Sequence, residues 1–368
     1  MNADQSYKFL MKALGYPDSD RFRAILENML TPVQAQIAAS LPGTAEEVAE
    51  KTGFDVDDIK QDLEYMFVRG AVFPRGEYEK REFFRFARSM GQFHDCTQAT
   101  CVRDVEADQE FYQLWQDFVM NEWYPDQGQS FKKAPRPSQR IVPAWNSIKD
   151  LPNVLPQDNF REILKAQKRI AVVPCSCRYR TTSVGEHCEH TAEEERWNCI
   201  QFGRGADYVE ARSSGKILST EEALELSDQV EEDGLLHMWA NHATMEGVGT
   251  SCQCCRDCCM IYIPADMAEI SIGKIWEKSR FQAVIAADKC NGCQDCVDRC
   301  MFDAIEMVKP EAAKFGKGSK KMKAEIIDDN CWGCGVCVFA CEEVARDAIT
   351  MKEVRPPEFI PGIETAMA

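Results

Sequence analysis

Residues 290–300 and 331–341 each read Cys-x2-Cys-x2-Cys-x3-Cys, and the segments around them repeat too. One copy runs from Ala283 to Glu306 and the other from Ala324 to Thr350, each patterned as strand, cysteine quartet, short helix, strand. The spacing has a mechanical reason. Three thiolates at this interval wrap one face of a cubane, while the fourth, at a helix start, points away toward a second cluster. Cys290, Cys293, Cys296 and Cys341 are therefore expected to hold one [4Fe-4S] cluster, and Cys331, Cys334, Cys337 and Cys300 the other. Gly292, Gly333 and Gly335 free the backbone to bend close to the sulfides. Zinc sites take four ligands in pairs and do not call for two interlocking quartets.

Over residues 280–352 these motifs resemble the bacterial two-cluster ferredoxin module. Two departures stand out: the proline that usually follows the fourth cysteine is Met301 in one copy and Glu342 in the other, and the second copy carries extra residues before Asp347.

The chain has 368 residues, enough for two or three domains, and 19 cysteines, all but Cys96 and Cys101 beyond residue 174. Disulfides would account for such a number in a secreted protein, but the N-terminal residues contain no apolar run of signal-peptide length. No stretch approaches the ~18 apolar residues of a membrane span. The expectation is a cytoplasmic chain whose thiols bind metal. A net charge of −17 opposes general nucleic-acid affinity, which needs a cationic face.

Nine further cysteines lie between residues 169 and 259: Cys175, Cys177, Cys188, Cys199, Cys252, Cys254, Cys255, Cys258 and Cys259. Cys252, Cys255 and Cys258 repeat the two-residue spacing, so three corners of another cubane are local, with the fourth thiolate to come from Cys175, Cys177, Cys188 or Cys199. Nine thiols suffice for one or two further clusters, and the pairing stays open. The alternative is a structural zinc with His187 or His190. Pro-Cys175-Ser-Cys177-Arg, then Gly-Leu-Leu-His237 with Asn241, then the dense cysteine run, resemble a family of multi-cluster iron-sulfur proteins of anaerobes that join such a region to a C-terminal ferredoxin and often carry a winged-helix-like N-terminal segment. That resemblance implies electron transfer. Where some members have three consecutive cysteines, this chain has Asp257 before Cys258-Cys259.

Residues 30–90 read as a winged helix. Thr31-Pro32 starts a helix, Thr44 to Gly53 makes a helix and turn, Asp55 to Gly70 occupies the recognition-helix position, and Ala71–Gly76 with Glu82–Phe86 supply wing strands. A DNA-reading helix needs cations, yet Asp55, Asp57, Asp58, Asp62 and Glu64 oppose only Lys60 and Arg69. A docking or structural role is expected, and His94, Cys96 and Cys101 are expected to be bystanders.

The expected architecture is α+β and multidomain: a winged-helix-like helical domain (1–122), a proline-rich extended linker (123–168), a cysteine-rich iron-sulfur domain (169–279), a two-cluster ferredoxin domain (280–353) and an extended tail (354–368). Ser219 to Gly234 reads as a capped spacer helix. No dinucleotide fingerprint, P-loop or nucleophile elbow occurs, and no nucleotide or flavin site is seen. The chain is thus expected to take electrons from one protein and pass them to another, as an electron-transfer subunit of an anaerobic oxidoreductase complex with three or four [4Fe-4S] clusters. The segment Lys309–Lys323, with six lysines against one glutamate, is the expected contact for an acidic redox partner or catalytic subunit, through Lys314, Lys317, Lys320, Lys321 and Lys323. The alternatives are a redox-sensing winged-helix regulator and an iron-sulfur enzyme with an open iron within residues 175–259.

Overall fold

The structure, a computed structural model, describes residues 1–76, 80–99, 107–186, 188–189, 197–241, 245, 249–309, 322–343 and 347–360. Cys101, His187, His190, Lys314, Lys317, Lys320 and Lys321 lie outside them, as does the end of the tail.

In the N-terminal part, helix starts follow local capping chemistry. The Thr31 hydroxyl accepts from the Gln34 amide, and the Gln34 side chain returns to the Thr31 N–H ahead of Pro32–Ala39. Thr44 and Glu47 form the same reciprocal pair ahead of Ala45–Thr52, which ends on Gly53 at φ 76°. Asp55 caps Val56–Val68. Strands Val72–Arg75 and Gly43–Thr44 flank Phe83–Phe86 in an antiparallel sheet. Their apolar faces close a core built on Leu10, Phe22, Leu26, Ile59, Phe67 and Phe93.

Residues 123–168 are not an extended linker. Tyr124–Lys132 is a helix, Gln139–Val142 is an interior strand, and Phe160–Lys165 is another helix. The six prolines of this stretch lie in and between these elements, while Tyr124, Ile141, Val142, Ile148 and Phe160 are all buried. Burying that apolar surface outweighs the proline signal.

Two four-stranded sheets carry the cysteine-rich region. One has the order Lys216–Leu218, Ile170–Pro174, Trp197–Phe202, Thr250–Ser251; the other has Gln253–Cys254, Leu236–Ala240, Gln139–Val142, Trp276–Glu277. Cys252 stands at the corner where the chain leaves one sheet for the other. The helix Thr220–Glu232 is capped by Ser219 and Glu222. The N-terminal part docks on this layer through buried cations: Arg212 donates to the Val72 carbonyl at 3.1 Å, and Arg180 to the Tyr124 hydroxyl at 2.9 Å.

In the C-terminal part, Phe281–Ile285 pairs antiparallel with Ile349–Glu353, and Ile305–Val308 with Lys323–Ile326. The short helices Asp295–Asp298 and Val336–Glu343 pack on each other, the first also against Ile305–Val308 and the second against Ile349–Glu353. Arg280 pins this part to residues 123–168: its guanidinium is fully buried, donates to Asp158 at 2.5 Å and also pairs with Glu353. No helix among the described residues is long and apolar enough to cross a membrane.

Candidate iron-sulfur and metal centres

The two repeated quartets occupy matching positions in the C-terminal part. Cys290, Cys293, Cys296 and Cys341 line one cavity together with Ile285, Gly292 and Ile349. Burial, followed by the charges of Cys293, Cys290 and Cys341, pushes the Cys296 thiol up to about 12. Cys337 is likewise raised by burial and then by Cys334, Cys300 and Cys331. Thiolate, not thiol, binds iron, so loading these sites releases protons and removes the cost of crowding the thiols. Each fourth cysteine also accepts an amide: Ala304 N–H lies 3.4 Å from Cys300 Sγ, and Ala348 N–H lies 3.2 Å from Cys341 Sγ. Donors aimed at sulfur stabilise thiolate ligands and tune a cluster's potential. Free thiols gathered in this way, half of them buried and the fourth of each quartet met by an amide, fit [4Fe-4S] ligation.

Glycine is required in the binding loops. Gly333 has φ 70°, and a Cβ there would sit 2.0 Å from the Phe281 carbonyl oxygen; in the other repeat, Gly292 at φ 76° would meet the Met322 carbonyl at 2.3 Å. Gly333→Ala should therefore lower stability by about 1–3 kcal/mol, read by anaerobic urea unfolding. An unchanged midpoint would show that the loop relaxes.

Lys323, the described member of the expected partner-contact lysines, is directed inward. It is 9% exposed, and its ammonium donates to the Cys290 carbonyl beside the first quartet. It starts a paired strand, which turns its side chain into the module instead of toward solvent.

The nine cysteines of the middle region separate into two groups. Cys188 Sγ lies 3.8 Å from Cys255 Sγ, and the donor atoms of Cys188, Cys255, Cys258 and Asp257 all fall within 4.8 Å of one another. Around the sheet corner, Cys254 Sγ lies 3.5 Å from Cys259 Sγ. Hydrogen bonds to Cys252 and Cys259, together with burial, raise the Cys254 thiol well above its ordinary range. Cys177 bonds to Cys175 and holds that thiol down at about 6. Burial, and then the charges of Cys252 and Cys175, raise Cys199. Cys175, Cys177, Cys199, Cys252, Cys254 and Cys259 thus form the second group. Cys252, which has the same two-residue spacing to Cys255 and Cys258, stands at the sheet corner and outside the 4.8 Å set.

Two residues that the cysteine pattern does not single out shape this region. Arg178 is buried, donates to Asn198 Oδ1 at 2.7 Å and to the Gln253 carbonyl at 2.9 Å, and hydrogen-bonds Cys255. Burial disfavours its charge, but the thiolates of Cys175, Cys255 and Cys188 outweigh that and hold it firmly protonated. It sits between the two thiol groups as a fixed cation. Asp257 Oδ2 accepts the Glu189 N–H at 2.9 Å, clasping the loop that carries Cys188. The sequence signals were Arg178 following Cys-x-Cys and an acid set inside a cysteine run.

His237 and Asn241 brace the frame. His237 stacks on Phe160, with Nδ1 2.6 Å from Gln253 Oε1 and Nε2 3.2 Å from Glu231 Oε1. Asn241 donates to the carbonyls of Pro137 and Gln139. His94 is buried between Trp115 and Trp123, paired with Asp95, and Cys96 lines a pocket with Cys199.

Residues 289–345 match the family described as the 4Fe-4S dicluster domain. The C-terminal part is therefore a ferredoxin-type module, and such a module implies a redox partner. No curated protein matches the chain, and no solved structure does.

Proposed function

We propose that this chain is an electron-transfer protein or subunit of an anaerobic oxidoreductase complex, passing electrons between the two ferredoxin clusters and one or two further [4Fe-4S] clusters in the cysteine-rich region. One observation carries the reading. The segment that holds Cys252–Cys259 runs directly onto the ferredoxin module, where the Tyr262 hydroxyl donates to the Met301 carbonyl at 2.5 Å, three residues beyond Cys259 and one beyond Cys300. Arg256 reinforces the junction by pairing with Asp303 at 2.6 Å. Clusters on the two sides of this contact would be neighbours, which a series of electron carriers requires. The N-terminal part, with its winged-helix-like order of elements and acidic central helix, acts in this reading as a docking module for another subunit. The lysines of residues 310–321 would meet an acidic redox partner.

Anaerobic purification with iron and sulfide quantitation tests the reading. About 12–16 irons per chain, matched by sulfide, are expected for three to four cubanes, and Cys337→Ala should remove about four of them and slow electron delivery to an acceptor protein. About eight irons would confine the clusters to the ferredoxin module and end the proposal of a longer relay.

A second reading is favoured by a pocket of about 520 Å³ beside Cys199, walled by Asp95, Ser176, Gln201, Tyr208 and Arg212. It would suit a small substrate at a cluster edge. Mössbauer spectra in which every iron has full sulfur ligation would exclude an open iron and reject this reading.

A further inference from the structure

We propose that Cys188, Cys255, Asp257 and Cys258 bind a single tetrahedral divalent metal ion, zinc or ferrous iron, as a centre separate from the iron-sulfur clusters. The inference narrows the relay reading above: it removes three of the nine thiols from cluster ligation and leaves the six of the corner group.

Donor spacing distinguishes a single ion from a cluster. In a cubane each thiolate caps a different iron, so the four sulfurs are held wide apart. Around one ion, thiolates at a metal–sulfur distance of about 2.3 Å in tetrahedral geometry stand about 3.8 Å from each other. Cys188 and Cys255 lie at 3.8 Å, and Asp257 Oδ1 lies 4.0 Å from Cys188 Sγ. The ferredoxin quartets provide an internal comparison. Among the described residues, the Cys188 set alone brings three or more such donor atoms within 4.8 Å, and neither quartet closes that far although all eight cysteines are described.

The donor chemistry agrees. Three soft thiolates with one carboxylate suit zinc or ferrous iron over calcium or magnesium. Cys255 and Cys258 are 1% and 2% exposed, while Asp257 completes the set from the rim. Its other oxygen is fixed by the Glu189 amide, an outer contact that orients the carboxylate. Three thiolates and a carboxylate overcompensate a divalent ion, and the buried Arg178 guanidinium on Cys255 offsets part of the excess. Four protein ligands leave no open position, so the centre is a structural clasp. It ties the Cys188 loop to the turn that lies against the ferredoxin module.

The test is metal counting and X-ray absorption on the full chain purified anaerobically. Expected is one zinc per chain, or one iron in excess of inorganic sulfide, with a first shell of three sulfurs at about 2.3 Å and one oxygen at about 2.0–2.2 Å. Cys258→Ala should lose that ion and keep all sulfide-matched iron. Asp257→Cys should retain it with an all-sulfur shell, which guards against reading misfolding as loss of a ligand. The proposal is overturned if Cys258→Ala loses iron and sulfide in equal amounts, or if all metal is sulfide-matched iron. A total of about eight sulfide-matched irons accompanied by the extra ion would reject the longer relay and still support this centre.

Discussion

In the proposed relay, replacing Arg178 with methionine should lower the reduction potential of the cluster assigned to the corner thiols by on the order of 100 mV. The guanidinium is buried among Cys175, Cys188 and Cys255 and is held charged by their thiolates. A unit charge at about 5–6 Å, with an effective dielectric constant of about 20, is worth about 3 kcal/mol; for a one-electron couple, each tenfold change in equilibrium corresponds to about 59 mV. The sign follows from what reduction does. It adds negative charge beside the cation, so removing the cation disfavours the reduced state and moves the potential down. A potentiometric titration followed by EPR reads the shift, with the ferredoxin clusters as an internal reference. A shift below about 30 mV would mean that solvent or neighbouring dipoles, not Arg178, set the local potential.

Arg280→Ala should destabilise the fold by about 3–5 kcal/mol. The side chain is fully buried, Asp158 opposite it is 2% exposed, and Glu353 completes the triad. Burial raises the Asp158 carboxyl, while the Leu155 amide and then Arg280 pull it down; without Arg280 a buried carboxylate loses its counter-charge. The control is Arg21→Ala, whose partners Asp117 and Glu122 are at the surface; it should leave the unfolding midpoint nearly unchanged. Anaerobic urea unfolding of both variants compares them directly. Equal effects would show that Arg280 has found a substitute partner or water.

The ferredoxin-type module was legible because its chemistry is local in sequence. Quartet spacing and the strands on either side follow within a few residues, and the dicluster match lies over the same stretch. Helix starts at Thr31, Thr44, Asp55 and Ser219 were legible for the same reason, since a cap is decided within four residues. Residues 123–168 misled because proline density is a local signal, whereas the Gln139–Val142 strand is held by partners far along the chain: Leu236–Ala240 and Trp276–Glu277. Lys323 misled in the same way. Its position in a lysine-rich segment suggested solvent, but its strand pairing turned it toward Cys290.

The sequence by itself determined that this chain carries a two-cluster ferredoxin-type module and a second cysteine-rich region. Ligand type and short-range spacing are enough for those conclusions. Only the tertiary structure brought Asp257 together with Cys188, Cys255 and Cys258 and set the Arg178 guanidinium on Cys255. The physical reason is the sheet corner at Cys252. It sends consecutive cysteines to different sides and draws Cys188 and Arg178 in from far along the chain, a grouping set by strand pairing and burial that spacing cannot encode.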